Sequence, residues 1–127
     1  MYNILIVDDS STIRKIIQRC IGHTGIAVGS VFEAGDGEEA IAVLEQQQIH
    51  LVMTDINMPK MNGLELLARM KGEERWKDIP VLLITTEGRM DTVLEAANKG
   101  AAGYVKKPFT ATDIQAKIEP LLSVASA

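Results

Sequence analysis

The chain has 127 residues, enough for one domain with one core, and 46% of them are hydrophobic, which excludes a disordered segment. Thirteen Lys and Arg face seventeen Asp and Glu for a formal charge of −4, which excludes nucleic acid as the direct partner, since phosphate neutralisation needs clustered cations. No apolar run spans a bilayer, no basic segment precedes the first strand, and Cys20 has no second cysteine to pair with, so the expectation is a cytoplasmic protein without membrane insertion.

Ile4-Leu5-Ile6-Val7 is a short continuous apolar run, the mark of a strand buried on both faces. It ends in Asp8-Asp9. Ser10 and Ser11 can cap the following helix. There Ile13, Ile16, Ile17, Cys20 and Ile21 recur at helical spacing as its inner face, and Gly22 and Gly25 stop it. Burying each isoleucine is worth about 1.5–3 kcal/mol, so this face docks firmly. Val28 to Ala34 reads as a second strand, Gly35-Asp36-Gly37 as a turn, and Glu38 to Gln46 as a helix with Ala40, Ile41 and Leu44 inward. The third strand, from Leu51, ends in Asp55, and Pro59 and Asn62-Gly63 mark the turn after it. Leu64, Leu67 and Met70 predict the inner face of a third helix. A charged loop from Gly72 to Asp78 contains Trp76. Pro80 to Ile84 is the fourth strand, ending in Thr85-Thr86. Met90, Val93, Leu94 and Ala97 mark a fourth helix, stopped by Gly100. Gly103 to Val105 is the fifth strand, ending in Lys106-Lys107-Pro108. A last helix runs from Thr112 to Leu122 with Ile114, Ile118, Leu121 and Leu122 inward, and a weakly structured tail follows.

Strand then helix, five times over, implies right-handed crossovers and a parallel α/β sheet with helices on both faces. Ligands in such sheets sit past the carboxyl ends of the strands. Asp8, Asp9, Asp55, Thr85 and Lys107 therefore share one edge. Two carboxylates about 4 Å apart repel by about 4 kcal/mol at an effective dielectric of 20, and one lysine cannot neutralise three. A hard divalent cation with oxygen ligands can, so the cluster implies Mg²⁺ or Mn²⁺. Asp55 is then the candidate nucleophile toward a phosphoryl group, with Thr85 and Lys107 on its other oxygens. A lone Asp after a strand is ordinarily a turn residue. Acid at two strand ends, with hydroxyl and lysine at two others, favours a site.

At these residues the chain resembles the receiver domain of bacterial two-component response regulators, and most the stand-alone CheY-like type. The matching motifs are Ile6-Val7-Asp8-Asp9-Ser10, Thr54-Asp55-Ile56-Asn57-Met58-Pro59 with Asn62-Gly63, Val81-Leu82-Leu83-Ile84-Thr85 and Val105-Lys106-Lys107-Pro108-Phe109. The resemblance covers the whole chain and implies a single receiver domain over 1–127, a flavodoxin-like (βα)5 fold with strand order 2-1-3-4-5. It implies that Asp55 accepts a phosphoryl group from a sensor histidine kinase. Asp9, Asp55 and the backbone carbonyl of Asn57 would bind Mg²⁺, while Asp8 orients the metal's water. Thr85 and Lys107 would contact the phosphoryl group. Thr85 and Tyr104 would then shift together, changing the face of the fourth helix, fifth strand and fifth helix. The Lys107-Pro108 peptide is expected to be cis. Polar Asn57 and Glu87 would tune dephosphorylation toward a short lifetime, which the bulk of Thr86 would oppose. Ile56 stands where chemotaxis regulators carry a tryptophan. Such a protein is not an enzyme beyond its own phosphorylation and dephosphorylation. It is expected to act as a monomer that docks on a downstream target, such as a flagellar motor switch, or meets a phosphatase. The alternatives are a phosphorelay intermediate or a fragment of a larger regulator.

Two rivals fit less well. A metal-dependent phosphatase with an aspartate nucleophile resembles a pattern with a second Asp two positions on, where this chain has Asn57. A flavin module needs a Ser, Thr and Gly-rich phosphate loop after strand one, where Asp8-Asp9 would repel the ligand. Gly35-Asp36-Gly37-Glu38-Glu39-Ala40 has dinucleotide-fingerprint spacing, but its acids favour a capped helix start. His23 and His50 form no ligand set, Cys20 reads as a core residue, and Met58 and Met61 read as packing. Lys106 and Arg89 read as solvated.

Overall fold

Apolar runs become strands and the periodic segments between them become helices. The elements are β1 (Tyr2–Val7), α1 (Ser11–Gly22), β2 (Val28–Ala34), α2 (Gly37–Gln46), β3 (Leu51–Asp55), α3 (Gly63–Lys71), β4 (Val81–Thr85), α4 (Met90–Asn98), β5 (Gly103–Lys106) and α5 (Ala111–Ser126). The computed structural model describes residues 2–26, 28–56, 58–85, 90–107 and 109–126, without the side chains of residues 85, 90–93 and 123–126. All neighbouring strands are parallel, in the order β2-β1-β3-β4-β5, as the resemblance implies.

Side chains of a strand alternate between faces, and here each face has its own core. Leu5, Val7, Val52, Val81 and Leu83 pack with Ala40, Ile41 and Leu44 of α2, Leu66, Leu67 and Met70 of α3, and Ala96 of α4. Ile4, Ile6, Leu51, Met53, Leu82, Ile84 and Val105 pack with Ile17 and Ile21 of α1 and Ile114, Ile118 and Leu122 of α5. Helices thus cover both faces, which is why the strands read as unbroken apolar runs rather than alternating ones.

The expected helix faces need correction at several positions. Ile16 is 39% exposed, because it lies about 100° around α1 from Ile17, outside the buried arc. Cys20 is half-buried against the second core rather than inside it. On α3 the buried set is Gly63, Leu66, Leu67 and Met70, and Leu64 is only partly covered. On α4, Leu94 is 56% exposed and Ala96 makes the core contact. Leu121 is half-buried, and α5 continues to Ser126 where a loose tail was expected. Trp76, expected in a charged loop, is 3% exposed within the first core, with Arg75 stacked 4.5 Å from its ring centroid.

Candidate functional site

Register brings the strand ends level. Val7 pairs with Ala34 on one side and Thr54 on the other, Asp55 pairs with Ile84, and Thr85 pairs with Lys106. The next residue of β1 is Asp8 and the next residue of β5 is Lys107, so both stand beside Asp55.

Asp8 is 1% exposed, whereas Asp9 is exposed and Asp55 half-buried. One carboxylate oxygen from each lies within 4.8 Å of the others. Lys107 Nζ is 3.2 Å from Asp8 Oδ2 and 3.5 Å from Asp55 Oδ2, with 14% of its side chain exposed. Among the described residues, three carboxylates therefore face one ammonium. Hard oxygen donors and an excess of negative charge fit a divalent cation such as Mg²⁺ or Mn²⁺. Partial burial strengthens every term in this cluster relative to open water.

The surrounding backbone is tightly anchored. The Asp8 N–H donates to Ala34 O (3.0 Å), and Asp8 Oδ1 accepts from the Ser10 N–H (2.9 Å). Ser10 Oγ then caps α1 by accepting from the Ile13 N–H (3.3 Å). Asp55 Oδ1 accepts from the Ile56 N–H (2.7 Å). The Gly63 N–H donates to Ile56 O (2.8 Å), and a Cβ on Gly63 would come within 2.2 Å of Asp55 O. The end of β3 thus rests on bare α3 backbone. Asn62 and Glu65 close that helix start with a capping box.

Gly35-Asp36-Gly37 forms no nucleotide cradle. Asp36 caps α2 by accepting from the Glu39 N–H (2.9 Å), and Glu39 Oε1 accepts from the Gly35 N–H (3.0 Å). The Gly37 N–H donates to Met61 O (3.1 Å), which docks α2 on the loop after Asp55. Met58 and Met61 pack against the first core. His50 Nδ1 accepts from the Asn3 N–H (2.9 Å), and His23 caps α1, so neither is near the cluster. Lys106 is exposed.

Asp8, Asp9, Asp55 and Lys107 are thus brought together. Thr85 ends β4 at the same edge, but its side chain is not described. The expectations for Asn57, Thr86, Glu87, Arg89 and Pro108 lie outside the described residues. Tyr104 is half-buried against the first core, with Lys117 Nζ 5.8 Å from its ring centroid. A second tier was not foreseen. Arg14 Nη1 donates to the Asp8 carbonyl, and Arg14 Nε donates to Glu33 Oε1 (2.9 Å). A lone charge near the end of an otherwise uncharged β2 was the signal available for Glu33.

A family model described as the response regulator receiver domain matches residues 4–119. The chain is 43% identical over 118 residues to the chemotaxis protein CheY of Pseudomonas aeruginosa, covering 93% of this chain and 94% of that one. Among solved structures it resembles chemotaxis protein CheY4 of Vibrio cholerae, with a TM-score of 0.84, 30% identity, and 95% and 98% of the two chains covered. It also resembles the Mn²⁺-bound form of response regulator Rcp1, with a TM-score of 0.78, 28% identity, and 97% and 93% covered.

Proposed function

The chain belongs to the response regulator receiver domain family, and on that premise we propose that Asp55 is the phosphoacceptor of a two-component signalling switch. The observation that carries this reading is the convergence of Asp8, Asp9 and Asp55 within 4.8 Å, with Lys107 between two of them. In this reading Asp9, Asp55 and the Asn57 carbonyl would hold Mg²⁺ or Mn²⁺, and Asp8 would orient its water. When bound, the cation neutralises and aligns the phosphoryl oxygens. An oxygen of Asp55 forms a new bond to phosphorus as the bond to the donor's histidine nitrogen breaks, and the electron pair leaves on that nitrogen. Lys107 moves from its carboxylates to the phosphoryl oxygens, joined by the Thr85 hydroxyl. Hydrolysis later returns Asp55, at a rate tuned by Asn57 and Glu87.

Phosphorylation biases a two-state surface made by α4, β5 and α5, with Thr85 and Tyr104 as its movable parts. The similarity to chemotaxis proteins supports motility control as the output, and we read the protein as a monomer in the cytoplasm. The donor is then a sensor histidine kinase, and the receiving surface a flagellar motor switch or a phosphatase. We read the whole chain, 1–127, as one such domain, catalysing nothing but its own phosphorylation and dephosphorylation.

Intact-protein mass spectrometry with Mg²⁺ and acetyl phosphate tests the reading. One phosphoryl group should add, should fail to add when the metal is chelated beforehand, and should fail to add to Asp55→Asn. No addition from acetyl phosphate, nor from a phosphorylated histidine kinase, would overturn it.

A further inference from the structure

Arg14 lies on α1, and only its neighbours explain why so polar a side chain is drawn in to 18% exposure. Its Nε donates to Glu33 Oε1 (2.9 Å), and Lys15 Nζ holds the other oxygen of that carboxylate at 3.1 Å. Its Nη1 donates to the backbone carbonyl of Asp8. That carbonyl belongs to the peptide joining Asp8 to Asp9. Asp8 is fixed further by its own N–H on Ala34 O and by its carboxylate on Ser10 and Lys107. Asp9 is exposed and the described contacts do not hold its side chain, so the rotation of this one peptide plane sets the direction from which its carboxylate starts. A planar guanidinium held at one edge by Glu33 presents its other donors in a rigid fork, which suits it to orienting a carbonyl.

We propose that Arg14, braced by Glu33, is a positioning residue that sets the Asp8-Asp9 peptide so that Asp9 faces Asp55 in cation-binding geometry. The inference rests on the metal-dependent reading of the site given above. It makes a prediction of unusual sign. Arg14 is a cation near a cation site, so simple Coulomb repulsion predicts that removing its charge tightens Mg²⁺ binding. Positioning predicts that removal weakens it. Residues that orient metal ligands typically matter by 10–100-fold in affinity, so a loss of about tenfold is expected.

The experiment is an Mg²⁺ titration of the unphosphorylated protein, by calorimetry and by the Asp9 amide resonance, on wild type, Arg14→Met, Arg14→Lys and Glu33→Gln. Arg14→Met keeps the apolar stem and should bind Mg²⁺ about tenfold more weakly. Arg14→Lys keeps the charge but cannot hold Glu33 and the Asp8 carbonyl in one plane, so it should lose nearly as much. Glu33→Gln keeps an acceptor for Nε and should stay near wild type. Phosphorylation by acetyl phosphate should be slowed in Arg14→Met at low Mg²⁺ and recover at saturating Mg²⁺. Thermal melting without metal separates the alternative: a merely structural tie lowers the melting temperature and leaves Mg²⁺ affinity alone. Unchanged or tighter Mg²⁺ binding in Arg14→Met would overturn the inference while leaving the phosphoacceptor reading intact. Failure of wild type to bind Mg²⁺ would overturn both.

Discussion

Gly63 is the residue on which Asp55 rests. Any other side chain there would press its Cβ to within 2.2 Å of Asp55 O, a backbone atom that cannot rotate away. Gly63→Ala should therefore push apart the end of β3 and the start of α3. The expected loss is about 2–3 kcal/mol, as for overpacking elsewhere in cores. It should also slow phosphorylation of Asp55 at saturating Mg²⁺, because the nucleophile itself has moved. Denaturant unfolding and initial rates with acetyl phosphate measure the two effects. In the sequence Gly63 reads only as half of a turn signal. Its demand for bare backbone comes from an oxygen that the chain places opposite it only on folding. Asp8, Asp9, Asp55 and Lys107 were legible for the opposite reason: each interrupts or ends an apolar run, so a charged group stands where a strand must stop.

At the scale of elements, the strands were easier to read than the helix faces. A strand buried on both sides is apolar at every position, whichever neighbour covers it. A helix face depends on where the helix docks. On α3 the buried positions Gly63, Leu66, Leu67 and Met70 follow helical spacing, but the first carries no side chain to mark it. In the sequence the first apolar side chain of the pattern is Leu64, one position further on. On α4 the small Ala96 makes the contact and leaves Leu94 outside. The tie between α1 and β2 was invisible for a similar reason, since its charges look like any solvated face. Partial burial pushes the Glu33 carboxyl up, but hydrogen bonds from Lys15, Arg14 and Gln18 outweigh it and hold the group below the usual range. A depressed carboxylate contributes stability that is full above its unfolded pKa of about 4.3 and disappears as pH falls through the lower folded value. Glu33→Gln should therefore be less stable than wild type at pH 6–7, with the gap closing as both are unfolded at progressively lower pH near 4 and below. A gap that persists unchanged into acid would show that the charge is irrelevant there.

For the whole molecule, the site is a local disagreement with folding. Among the described residues, three carboxylates gathered within 4.8 Å with one lysine repel each other in the metal-free protein. Asp9 is the exposed member, so making it neutral relieves repulsion without opening a cavity in the core. Asp9→Asn should melt at a higher temperature than wild type without divalent metal, and should gain much less from added Mg²⁺, which stabilises only a form that binds it. Thermal melts with and without Mg²⁺ decide this. Lower stability of Asp9→Asn in the metal-free state would mean that its carboxylate is held by attraction rather than strain.

Lys107 reaches Asp8 across 99 residues of sequence, from β5 at the far end of the strand order. During synthesis, the aspartates of β1 and β3 leave the ribosome long before the lysine does. A chain interrupted before β5 carries Asp8, Asp9 and Asp55 but not the lysine proposed to meet the phosphoryl oxygens. It also lacks α5, and with it Ile114, Ile118 and Leu122, so the part of that sheet face not covered by α1 stays open. Competence to receive a signal and completion of the fold therefore arrive together, and an unfinished copy is silent by construction.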